Sequence, residues 1–184
     1  MVTIVSCGIL EYEINYVVKQ LEINPDIKFL PSKLHINPLK LETTLEKVLQ
    51  RIDDVNTYVV YGKCSPHIDD IITMYNAKRI QGGTCYEMVA GEKFFQLLKE
   101  EPGTFFLLPK FCMQFDYLTE DILLKEMRDT YFKNYKRCVF LDTQVVPVSC
   151  EEISETLKLP LTRVPIGIEI LKARVSTLVS GKSI

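Results

Sequence analysis

The stretch TYVVYGKCSPHIDDII, residues 57–72, decides the fold. Residues 57–62 form a continuously apolar, β-branched and aromatic run, the pattern of a strand buried on both faces. Cys64 follows two residues later. Ser65-Pro66 comes next, where serine can cap and proline can open a helix whose inner face is Ile68, Ile71 and Ile72. Buried strand, short thiol-bearing turn and amphipathic helix make the first part of a βαβ unit.

The same alternation extends outward in both directions. Upstream, VTIVS (2–6) predicts a buried strand leading into Cys7-Gly8. Ile14, Val17, Val18 and Leu21 then keep helical spacing until Asn24-Pro25, because a residue before proline avoids the α region. Ile27–Leu30 predicts a second strand running into the loop PSKLHINP (31–38). There Asn37 caps and Pro38 opens a helix that turns Leu41, Leu45, Val48, Leu49 and Ile52 inward. Downstream, KRIQ (78–81) predicts a short strand, and Thr84 with Glu87 has capping-box spacing for a helix reaching to about Lys99. TFFLLP (104–109) and RCVFLD (137–142) predict two more strands, with helical spacing within 117–133 and helices near 150–158 and 167–180. This order predicts one α/β domain over residues 1–184, built on a mainly parallel sheet: a Rossmann-like or flavodoxin-like three-layer sandwich.

Composition narrows the function. Hydrophobic residues are 47% and charged residues 25% of the 184, so the chain is globular, neither disordered nor fibrous. Lys plus Arg is 22 against 24 for Asp plus Glu, a net charge of −2, which supplies no cationic face for a nucleic-acid backbone or an anionic membrane. No apolar run reaches the ~18 residues of a membrane span, and MVTIVSCGILEYE has no basic leader, so a cytoplasmic protein is expected. Walker, GxGxxG, HExxH and GxSxG motifs are absent, and with them the sequence support for nucleotide, zincin or α/β-hydrolase chemistry.

The six cysteines are too dilute for a disulfide scaffold, which leaves them as buried small hydrophobes, catalytic thiols or metal ligands. Their positions sort them. Cys7 follows the first predicted strand, His35 lies in the loop after the second, Cys64 after the third and Cys85 after the fourth. Ligands of open parallel sheets collect at these strand-to-helix loops, and neighbouring strands lie only ~4.8 Å apart. A strand-end cysteine alone is ordinary packing. Four successive loops that each bring one soft donor to one edge favour a shared centre. A Cys₃His set suits zinc, and three thiolates suit a [4Fe–4S] cluster with one position left over. Gly8, Gly82 and Gly83 are expected to let backbone approach that centre or its cofactor. His67 is a second candidate imidazole. Cys138 reads as core and Cys150 as structural, while Cys112 lies on the correct edge but is better explained by structure. Lys63 and Lys110 are possible anion holders, Tyr58, Tyr61 and Tyr86 possible pocket walls, and Glu87 a helix cap.

The segments IVSCGIL, LHINPLKLE, VVYGKC, GGTCYEMVAGEKF and EEPGTFFLLP resemble an uncharacterised family, a domain of unknown function found in methanogenic archaea and anaerobic bacteria. The resemblance spans about residues 2–178. The family's first-strand cysteine, histidine-asparagine-proline loop, tyrosine-glycine-x-cysteine turn and last cysteine match Cys7, His35-Ile36-Asn37-Pro38, Tyr61-Gly62-Lys63-Cys64 and Cys85. Two features depart from it. Its glycine-rich turn is here Ser65-Pro66-His67, and its histidine-aspartate before the last cysteine is here Gly83-Thr84. Association of such proteins with corrinoid-dependent methyl transfer implies an accessory role in anaerobic one-carbon metabolism, with a small molecule or a protein of such a system as partner.

Three functions follow as expectations. The first is a metalloprotein with zinc or a [4Fe–4S] cluster on Cys7, Cys64, Cys85 and His35, acting in methyl or thiol transfer. The second is a metal-free cysteine enzyme, with Cys85 its best nucleophile. The third is a non-catalytic carrier or chaperone for a metal or corrinoid.

Overall fold

The computed structural model describes residues 2–54, 56–123 and 128–180. Strand β1 (Val2–Cys7) leads through a 3-10 turn into α1 (Glu11–Gln20), and β2 (Asp26–Leu30) through a second 3-10 turn (Ser32–Ile36) into α2 (Pro38–Leu49). Next come β3 (Asn56–Val60), α3 (Ile68–Met74), β4 (Lys78–Arg79), α4 (Cys85–Ala90) and α5 (Glu92–Glu100). The second half holds β5 (Thr104–Leu107), α6 (Pro109–Met113), α7 (Phe115–Leu123), α8 (Arg128–Tyr131), β6 (Arg137–Asp142), α9 (Glu151–Leu157), β7 (Leu161–Pro165) and α10 (Glu169–Ser180).

The strand-helix alternation expected from the sequence is present, and every strand pairing is parallel. The strands divide between two sheets, ordered β2-β1-β3-β4 and β5-β6-β7, where the sequence predicts one. The division falls after β4, which is only two residues long. There the Arg79 guanidinium donates to the carbonyl oxygens of Tyr61, Ile80 and Gly82 at 3.1, 3.1 and 2.7 Å, satisfying loop backbone just beyond β3 and β4. In the first sheet Ile4 lies between Ile27 and Tyr58, and Val5 between Lys28 and Val59. Ile4, Val5, Val59 and Val60 are fully buried, as continuously apolar central strands require.

Asn37 caps α2 as expected, its side chain accepting from the Lys40 N–H at 3.0 Å, with Pro38 in the first turn. Other boundaries differ from expectation. The helix expected from Thr84 to Lys99 is two helices, because Gly91 takes φ +54° between them, a conformation that costs glycine little. Helix α3 begins at Ile68, and Ser65 closes the preceding turn by accepting from the His67 N–H at 3.3 Å. The expected 117–133 helix is α7 and α8, with residues 124–127 outside the described residues. Strand β7 has no forecast in the sequence: Thr162, Arg163 and Pro165 are exposed along this edge strand, so its composition reads as loop.

Cys112 and Cys150 form a disulfide, with Cα atoms 5.4 Å apart, inside the range a bridge can span. This corrects the division of all six cysteines among core, catalysis and metal. The two lie 38 residues apart and meet only because α6 packs near the start of α9.

The two halves interlock. Glu13 of α1 is buried and accepts from the Thr143 hydroxyl, just past β6, at 2.9 Å. Burial holds the Glu13 carboxyl above its usual range. Lys110 of α6 pairs with Glu11. Helix α10 packs on α1, α4 and β3, and its Arg174 donates to the carbonyls of Gln81 and Glu87 at 3.2 and 2.8 Å. Among the described residues no helix is long and apolar enough to cross a membrane.

Candidate thiol centre

The order β2-β1-β3-β4 sets the sequence of side chains along the carboxyl rim of the first sheet. His35 lies in the turn after β2, Cys7 ends β1, Cys64 follows β3, and Cys85 opens α4 after β4. Strand order reverses between β1 and β3, the point at which open α/β sheets leave a crevice. All four side chains line one cavity there, of about 160 Å³, walled also by Ile9, Leu10, Val60, Tyr61, Tyr86 and Phe111.

Local contacts fix the loops. A side chain at Gly62 would meet the Gly83 carbonyl oxygen at 2.7 Å, so only glycine lets the loop after β3 lie against the loop before α4. The adjacent Lys63 N–H donates to that carbonyl at 2.8 Å, and the contact brings Cys64 and Cys85 to one cavity. Thr84 caps α4, accepting from the Glu87 N–H at 3.0 Å. The Glu87 carboxylate accepts from the Gly83 N–H at 2.6 Å, confirming its capping role. Of the expected close-approach glycines, Gly8 abuts the Leu30 carbonyl, Gly82 the Met88 side chain and Gly83 the Glu87 carboxylate, so each packs against the protein itself.

His35 Nδ1 lies 2.7 Å from the Ser32 carbonyl oxygen. A carbonyl can only accept, so Nδ1 carries a proton, and the neutral ring held this way has its lone pair on Nε2. A metal-ligating histidine is held in the same way.

The thiols are electrostatically linked. Burial raises the Cys64 thiol to about 11, with nearby Cys7 adding and Arg79 opposing. Burial likewise lifts Cys85 well above the usual thiol range, reinforced by Cys7 and Cys64, and it raises Cys7. The Tyr61 hydroxyl, in a residue 1% exposed, has no nitrogen or oxygen hydrogen-bond partner among the described residues, and the Cys7 sulfur is the group it can reach. It faces the Cys7 thiol, and burial, followed by the three thiols, pushes its pKa far up, so the hydroxyl keeps its proton.

The other candidates lie elsewhere. His67 is exposed and faces Asp70 at 3.6 Å. Cys112 is in the disulfide, and Cys138 is fully buried in β6. Lys63 faces Asp69, Lys110 pairs with Glu11, and the Tyr58 hydroxyl donates to the Val179 carbonyl at 3.4 Å. Sequence reasoning missed Arg79, visible only as one of two adjacent cations in KRIQ, and Phe111, for which the sequence has no signal. Among the described residues, no three His, Cys, Asp or Glu side chains already stand in a metal-holding group.

Fold and rim together define a parallel α/β protein with a thiol-lined cavity at the strand-order reversal. The family model described as protein of unknown function (DUF1638) matches residues 29–175, and the chain belongs to that family. The matched region holds His35, Cys64 and Cys85, while Cys7 precedes it. No curated protein and no solved structure matches the chain.

Proposed function

We propose that this protein is a soft-metal protein in which Cys7, Cys64, Cys85 and His35 hold zinc or an iron–sulfur cluster. The observation that carries the reading is the convergence of three thiols and an imidazole, its Nδ1 held by the Ser32 carbonyl, on one 160 Å³ cavity. The buried Tyr61 hydroxyl supports it, since its contact with Cys7 becomes a strong hydrogen bond once that sulfur is a thiolate. The raised thiols weigh against a metal-free nucleophile at Cys85, because nucleophilic cysteines sit in surroundings that favour the thiolate. A soft cation removes the repulsion among three thiolates and supplies what the apolar walls lack.

Bound zinc would lower the pKa of a coordinated substrate thiol and activate it for transfer; a cluster on three cysteines would keep one iron for His35 or substrate. An accessory role in corrinoid-linked one-carbon metabolism of anaerobes follows from the family resemblance. The test is metal content and absorption spectrum of anaerobically purified protein beside Cys64→Ala. The expected result is near-stoichiometric metal in the wild type and at least tenfold less in the variant. A colourless, metal-free and folded wild type would overturn the reading.

A further inference from the structure

A second cavity, of about 230 Å³, adjoins the thiol centre and shares His35, Tyr86 and Phe111 with it. Its remaining wall is mostly aromatic. Phe105 stands at its middle, with Phe111, Phe132 and Tyr135 set edge-on at ring distances of 5.7, 5.2 and 5.1 Å. Tyr131 extends the shell against Phe132 at 5.1 Å. Its two threonines are engaged: Thr119 donates to the Phe115 carbonyl at 2.6 Å, and Thr104 donates to the Glu101 carbonyl at 2.5 Å while accepting from Arg137. Among the described residues no carboxylate, lysine or arginine lines it.

These walls select by chemistry. Aromatic rings in edge-on and tilted sets favour another ring, which gains offset or edge-to-face contacts beyond simple burial. The described walls offer no carboxylate to a cation and no lysine or arginine to an anion, so they favour a neutral ring. A cavity of ~150 Å³ lined by apolar side chains accepts benzene, so this one has room for one or two fused rings. Tyrosine hydroxyls and the imidazole can meet a polar edge.

We infer that this aromatic chamber binds the ring of a neutral one- or two-ring aromatic substrate and presents a soft substituent, such as a thiol, to the adjoining centre across the wall made by His35, Tyr86 and Phe111. The delivery step rests on the metal reading above; ring binding does not.

The test uses two probes, 2-naphthol and 2-naphthalenethiol, with metal-free and cobalt(II)-loaded full-length protein. 2-Naphthol should bind at one equivalent with or without metal, read by its fluorescence, which no tryptophan obscures. Tyr135→Ala, and as a second variant the half-exposed Tyr131→Ala, should each weaken it at least tenfold with cobalt uptake unchanged. His67→Ala, outside both cavities, should leave it unaltered. The thiol probe should bind at least tenfold more tightly to the cobalt form than to the metal-free form and alter the cobalt absorption. Absence of saturable naphthol binding, binding indifferent to both tyrosine variants, or a thiol probe blind to cobalt would overturn the inference. Protein that binds naphthol but takes up no cobalt would sink the zinc form of the metal reading and the delivery step with it, and leave ring binding upheld.

Discussion

With its thiol raised to about 11, Cys64 keeps its proton at neutral pH in the metal-free protein, and Cys7 and Cys85 are shifted in the same direction. Two consequences can be measured. Because the folded pKa lies above the unfolded one, the native state holds a proton that the unfolded chain releases sooner. The stability from this group is therefore complete below the ordinary thiol value of 9.0 and falls as pH rises through about 11. Denaturant titrations of metal-free protein across that window should show the decline, and Cys64→Ser should make it shallower, with Cys7 and Cys85 still contributing. Metal loading at neutral pH should also release about three protons, one per thiol, seen as acidification of a weak buffer. A single cysteine with a depressed pKa in alkylation experiments would contradict the first expectation. At this scale the sequence was informative: the strand-to-helix position of each donor follows from hydrophobic runs and turn residues. The exclusion of His67, and the burial that sets the thiol values, depend on rotamers and neighbours that a linear chain does not encode.

Among the elements, the loops after β3 and before α4 do most to shape the centre. Gly62→Ala places a methyl group 2.7 Å from a carbonyl oxygen and should cost about 1–3 kcal/mol by overpacking. Its metal content should fall as Cys64 and Cys85 separate, measured by calorimetry and metal analysis. The disulfide is the other tie between elements. It closes a 38-residue separation, worth about 4 kcal/mol in the chain-entropy picture, so Cys112→Ser should lower stability by roughly that amount while leaving metal content unchanged. Neither contact was visible beforehand. Close approach at Gly62 looks like any turn glycine, and pairing Cys112 with Cys150 needs the packing of α6 and α9. The Thr84 cap and the Asn37-Pro38 helix start were legible because they are decided within four residues.

Across the whole molecule, α10 and α1 join the two sheets. Leu171 and Val175 are fully buried on α10, and Glu13 bonds to Thr143 across the halves. Leu171→Ala should cost about 3 kcal/mol and lower Tm by about 6–12 °C. Unfolding should remain one transition, with far-UV dichroism and tyrosine fluorescence coincident. Two separated transitions would mean that the sheets fold independently despite these ties.

The sequence by itself determined the alternation of strand and helix, the parallel α/β class and the placing of four soft donors at strand-to-helix loops. Those features follow from periodicity and turn chemistry acting over a few residues. Tertiary structure alone decided the split into two sheets, the edge strand β7, the disulfide and the aromatic chamber beside the thiols. Each of these depends on residues far apart in the chain, whose meeting is set by packing of the whole core.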